Sequence, residues 1–275
     1  MKRHITAGLS LALLLLSIPA QARDFTLAVV PQYTVSEIYK NWQPLLSELE
    51  RATGDRFKLL VYPSFRQFET DYLAGVPDFV YFNPYHQLVG NRAQGYIPLV
   101  RDGKRKLTGI IVVRKDSGID SITQLQGMDI AFPAPNAFAA SLYMRTLLSE
   151  KEGLNFHAYY VQSHSNGYRH VYTGKALAAG GVISTLRRQP AAIRNELKVI
   201  YQTPAYPPHP IAAHPRVSPT VRSKLTAVLL ELQGTAQGRQ LLSAIQMAHP
   251  IRAEYRRDYT PLGLLGLDRY YRPYE

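Results

Sequence analysis

Apolar and polar positions along this chain alternate between strand-like and helix-like periods. Residues 25–30 form an apolar run that stops at Pro31, the pattern of a buried strand. Ile38, Trp42, Leu45, Leu46 and Leu49 then recur at helical spacing, which predicts a helix kinked at Pro44 and ended by Gly54. Residues 57–62 read as a second strand. Phe65, Phe68 and Tyr72 mark a short helix closed by Gly75, and residues 78–82 read as a third strand. Strand-helix alternation of this kind predicts a mainly parallel sheet with helices on both faces.

The same order then repeats. Strands are expected at 109–114, 129–132, 155–161, near 181–183 and at 197–201, with helices at about 137–150 and 166–173. Pro204, Pro207, Pro208 and Pro210 predict a stiff crossing segment. Two amphipathic helices follow at about 219–232 and 236–245, and a tail rich in Tyr and Arg, 255–275, is expected to wrap the surface. The pattern predicts an α/β protein of two lobes, each a mainly parallel sheet flanked by helices, with a ligand cleft between them. The expected boundaries are 23–107 for the first part of lobe 1, 108–203 for lobe 2, and 204–275 for a return to lobe 1 and the tail.

One apolar run belongs to neither block. Residues 9–18 are apolar apart from Ser10 and Ser17, follow the basic start Met1-Lys2-Arg3-His4, and precede Ala20-Gln21-Ala22. This is the pattern of a secretory signal peptide over residues 1–22, cut after Ala22. No cysteine follows the cut, so a lipid anchor has no attachment point, and the expected location is the bacterial periplasm. The 275 residues contain no cysteine at all, which excludes disulfides, thiolate nucleophiles and cysteine-bound metals. The formal net charge of +12 falls by two once Lys2 and Arg3 are removed, and still leans toward an anionic ligand or surface. Nucleic acid is not an expected partner, since the chain reads as exported and carries no binding motif for it.

Catalytic signatures are missing: there is no Gly-x-Ser-x-Gly elbow and no phosphate loop ending in Gly-Lys-Ser or Gly-Lys-Thr. His164 and His170, or His209 and His214, do not have the spacing of a metal pair with a carboxylate beside it. No enzyme activity, metal or cofactor is therefore expected. The chemistry lies in loops at strand ends. Phe82-Asn83-Pro84-Tyr85-His86 follows the third strand, and Asn136 precedes a helix whose free N–H groups suit an anion. Ser163-His164-Ser165-Asn166 opens the next helix in the same way. Tyr33 lies near a strand end, where a ring with a polar tip suits a cleft wall. The expected ligand contacts are Tyr33, Asn83 and Tyr85 from the first lobe, and Asn136, Phe138 and His164 from the second.

Ordered short matches tie these pieces to a family. They are Trp42-Gln43-Pro44-Leu45-Leu46 with Gly54, Gly75-x-x-Asp78, Asn83-Pro84-Tyr85, and Ile111-Val112-Val113-Arg114-Lys115-Asp116-Ser117-Gly118-Ile119 with Leu125-x-Gly127. Phe132-x-x-Pro135, Ser163-His164 and Asp258-Tyr259 complete the series. The chain resembles the periplasmic substrate-binding proteins of the phosphate/phosphite/phosphonate ABC transporter family. The resemblance implies a monomer that closes two lobes on a small, anionic solute and delivers it to an inner-membrane permease driven by ATP. An alternative is a periplasmic sensor that partners a membrane signalling protein. Where phosphonate binders of the family carry several Ser and Thr residues, this chain reads Asn136-Ala137-Phe138-Ala139-Ala140, and the acidic residue after the family's histidine is Ser165. Fewer hydroxyl donors argue against many-donor phosphonate binding, and fewer carboxylates argue against a ligand bearing an ammonium group.

Overall fold

The computed structural model describes residues 22–272, so the expected signal peptide lies outside the described residues but for Ala22. The chain runs β1 (Asp24–Val29), α1 (Val35–Thr53), β2 (Arg56–Leu60), α2 (Phe65–Leu73), β3 (Phe79–Tyr81), α3 (Pro84–Gln94) and β4 (Ile97–Asp102). It then crosses into β5 (Gly109–Arg114), β6 (Asp129–Phe132), α4 (Tyr143–Thr146), β7 (His157–Tyr160), α5 (His164–Tyr172), β8 (Ala178–Val182), α6 (Ile183–Arg187), α7 (Ala191–Arg194) and β9 (Leu197–Gln202). The return comprises β10 (Pro210–Ala213), α8 (Pro219–Glu231), α9 (Ala236–Ala244), β11 (Pro250–Arg252) and α10 (Tyr255–Asp258).

Local chemistry sets these limits. Thr34 accepts a hydrogen bond from the Glu37 N–H, and Glu37 accepts one from the Thr34 N–H, which fixes the start of α1. Ile38, Trp42, Leu45, Leu46 and Leu49 are buried on one face, as their spacing predicts, and Gly54 at φ 73° ends the helix. Pro44 sits inside α1, which continues through it. Thr34→Ala is expected to cost about 1 kcal/mol, visible as a lower urea midpoint with an unchanged slope.

The described strands form two sheets, ordered β11-β4-β10-β3-β1-β2 and β7-β6-β8-β5-β9. Each has the expected parallel set, β2-β1-β3 in one and β7-β6-β8 in the other. The remaining pairings are antiparallel: β10 lies against β3 and β4, β11 against β4, and β5 against β8 and β9. The sheets are therefore mixed, because β5 and β10, which enter each lobe from the crossing, run opposite to the strands of the strand-helix units, whereas β4 and β9, which leave, run with them. The proline-rich crossing expected to extend through Pro210 ends sooner. Pro210 is the first residue of β10, inside the six-stranded sheet, and a first strand position tolerates its missing N–H.

Residues 103–108 and 203–209 connect the two sheets and pair at one point. Leu107 and Tyr206 exchange both backbone hydrogen bonds, at 2.9 and 3.0 Å. The tail then folds back over the first sheet. Arg101 and Arg257 both donate to the buried Asp258 carboxylate, and Tyr259 donates to the Pro208 carbonyl. Burial alone would raise the Asp258 pKa. The hydrogen bonds from Arg257 and Arg101 outweigh it and hold the carboxyl well below its usual range. The Asp258-Tyr259 pair thus anchors the tail to β4 and to the crossing.

Candidate functional site

A narrow cavity lies where the lobes meet, at the carboxyl ends of the strands that lead into them. The first lobe contributes Val30 and Gln32 after β1, Phe65 at the start of α2 and Asn83 after β3; Leu107 and His209 come from the crossing segments. The second lobe contributes Ala137, Phe138, Ala139, Ala140, His164 and Val182. The space is narrow and mostly apolar, with few polar groups facing it.

Those polar groups are distinctive. The N–H groups of Phe138, Ala139 and Ala140 open a π-helical turn, Phe138–Leu142, and have no acceptor among the described residues. His164 is the first residue of α5, 2 % exposed, and its Nδ1 has no hydrogen-bond partner among the described residues. Burial lowers its pKa to about 4, so the ring is neutral at pH 7. His209 stacks on Tyr81 at 5.3 Å and shares a 2.6 Å hydrogen bond with Gln32. Burial, then the charge of Arg105, pushes its pKa well below the usual value. Neutral imidazoles and backbone N–H groups in a narrow, mostly apolar pocket can donate to an anion without carrying a net charge of their own.

The six expected contact residues divide into two groups. Asn83, Phe138 and His164 line the cavity. Asn83 also caps α3, accepting from the His86 N–H at 2.8 Å, while its Nδ2 donates to the Asn136 carbonyl at 3.1 Å. Phe138 lies parallel to Tyr143, centroids 5.9 Å apart, and to Tyr85 at 6.3 Å, with Tyr206 edge-on. The other three face elsewhere. Tyr85 turns its hydroxyl to Asp268 at 2.7 Å. Tyr33 lies on a neighbouring narrow cavity, where it accepts from Gln246 and packs under the Arg188 guanidinium. Asn136 does not cap the following helix. Ala137 holds that position, and the Asn136 amide is bonded to Glu69 and to the Arg272 backbone. Gln32 and His209 were not foreseen from sequence. Gln32 has no motif around it, and His209 sits among prolines, paired in sequence only with His214 at a spacing that suits no metal.

A family model for the periplasmic phosphonate substrate-binding protein of ABC transporters matches residues 27–259. The chain belongs to this family, whose members are substrate-binding components of transport systems rather than enzymes. Several solved structures share the fold. A binding-protein component of an ABC phosphonate transporter from Pseudomonas aeruginosa is 16 % identical, with 91 % of this chain and 88 % of that one covered and a TM-score of 0.80. PhnD1 from Prochlorococcus marinus, in complex with methylphosphonate, is 17 % identical, with 90 % and 98 % covered and a TM-score of 0.81. XAC2383 from Xanthomonas citri, bound to ATP, is 19 % identical, with 90 % and 98 % covered and a TM-score of 0.71. Among the described residues, no helix is long and apolar enough to cross a membrane.

Proposed function

We propose that this protein is the solute-binding component of an ATP-driven importer in the periplasm. It takes up a small anion by closing residues 108–203 against residues 23–107 and 204–272, and presents it to an inner-membrane permease. The observation that carries the reading is the coincidence, in one interlobe cavity, of three N–H groups at residues 138–140 and the buried His164 Nδ1, none of which has a hydrogen-bond partner among the described residues. Asn83, Phe138, His164, Gln32 and His209 are the proposed contacts. A narrow, mostly apolar cavity favours a small oxyanion, such as the methylphosphonate held by PhnD1, over a nucleotide such as the ATP held by XAC2383.

The test is a thermal-shift titration with methylphosphonate, phosphite, phosphate and sulfate. At a hundredfold excess over its dissociation constant, a bound anion adds about 2.7 kcal/mol of stability. At least one of these anions is expected to raise the melting temperature in wild type, and His164→Ala is expected to reduce that rise. A melting temperature that responds to a neutral organic solute and to none of the anions overturns the reading.

A further inference from the structure

We propose that Asn136 fastens the two lobes in the closed form and serves solute binding by positioning the lobes, without donating to the solute. For solute binding this rests on the function proposed above; the bonds themselves do not. Asn136 is fully buried at the start of the turn that lines the cavity. Its Nδ2 donates to Glu69 Oε2 on α2 at 2.9 Å and to the Arg272 carbonyl at 2.6 Å. Its Oδ1 accepts from the Arg272 N–H at 3.0 Å, and its own carbonyl accepts from Asn83 Nδ2 at 3.1 Å. One residue of the second lobe is thereby tied to α2, to the end of β3 and to the tail, all of which pack on the first sheet.

The partners are themselves held in place. Glu69 gives its other oxygen to His86 Nε2 at 3.0 Å, with both side chains fully buried. The tail is seated on the first lobe by Tyr85 and Asp268 and by the Tyr85–Tyr271 ring contact. It reaches across to the second lobe through Tyr270 and Glu150, at 2.8 Å. Parting the lobes breaks the bonds between Asn136 and both Glu69 and Asn83 at once, and it carries residues 137–140 away from Asn83. Closure therefore draws on contacts between protein groups as well as on the solute, so the ligand need supply less of the free energy of shutting the cleft.

Small-angle scattering of the ligand-free protein, together with methylphosphonate titration, tests this. Asn136→Asp sets a carboxyl against the Glu69 carboxyl at hydrogen-bonding distance, which the closed form tolerates poorly and the open form does not feel. The expected results are a larger radius of gyration and roughly tenfold weaker binding. Adding Glu69→Gln to Asn136→Asp supplies a donor from the opposite side. It is expected to recover at least half of each change, which a general packing defect would not do. Should Asn136→Asp fail to fold, a chain ending at Tyr270 removes the Arg272 pair without adding interior charge and is expected to expand in the same way. An unchanged radius of gyration in the folded variants, or a double variant as open as the single one, overturns the proposal. If wild type ignores methylphosphonate, the scattering result still decides it, and only the choice of solute fails.

Discussion

Gly109→Ala is expected to destabilise the protein by about 3 kcal/mol and to abolish solute binding in the same step. A β-carbon at Gly109 would lie 1.9 Å from the Ala139 carbonyl oxygen and 2.9 Å from Thr203 Cγ2. The first neighbour is backbone, so no rotamer change relieves the overlap. The turn at residues 137–140 must lift off β5, and that turn carries the unpaired N–H groups of the proposed site. Gly180 makes the same demand from β8, where a β-carbon would meet the Ala140 carbonyl at 2.3 Å and the Phe132 ring at 2.4 Å. Two glycines on adjacent strands thus let the start of the helix rest directly on the sheet. For a chain of this size the loss corresponds to a fall of roughly 10 °C in melting temperature. Gly234→Ala is the control, since nothing lies within 4 Å of its added carbon. A Gly109→Ala protein that melts with wild type, or that keeps its affinity for methylphosphonate after losing stability, would show that this close approach does not set the site.

Much of the architecture was legible because the residues that build it obey one period at a time. Ile38 to Leu49 keep helical spacing and bury one face, and the runs at β1, β3, β5 and β6 are apolar enough to be recognised as interior strands. Legibility failed where pairing alone makes the strand. Pro210–Ala213 is short, begins with proline and follows three other prolines, yet the open edges of β3 and β4 recruit it into the six-stranded sheet. β11 is three residues long, two of them exposed, and no window of sequence marks it. The candidate site was half legible for a related reason. Asn83, Phe138 and His164 follow strands or open helices, so the rule that ligands meet strand ends points to them, and all three line the interlobe cavity. Gln32 and His209 face the cavity because Gln32 follows β1 and His209 lies on the return crossing. That juxtaposition spans 177 residues and leaves no local signal. Asn136 carried the right signal for a helix cap. Its side chain instead serves a buried carboxyl group on the other lobe, and a sequence reading does not foresee a partner 67 residues away.

Acid is expected to unfold this protein earlier than its carboxylates alone would predict, with His164 as a principal cause. The unfolded chain carries a histidine of ordinary pKa, near 6.5, whereas burial holds the folded ring at about 4. Between those values the unfolded state binds a proton that the folded state refuses, so stability falls as pH drops. The contribution is fully present above about pH 6.5, shrinks through the window and levels off below about pH 4. Each pH unit is worth about 1.4 kcal/mol, giving a loss on the order of 3 kcal/mol. His209 is shifted in the same direction by burial and by the Arg105 charge, and it adds to the slope. Urea melts at pH 7.5, 6.5, 5.5 and 4.5 should show wild type losing stability across the series, with His164→Gln losing distinctly less. Parallel losses in the two proteins would mean that His164 does not titrate as its burial requires. A bound anion would act against the same slope. Negative charge beside the ring favours its protonated form, raises the folded pKa toward the unfolded one and narrows the window. Saturating methylphosphonate should therefore flatten the acid dependence of wild type more than that of His164→Gln. This ties the proposed ligand to one titrating side chain in the cleft.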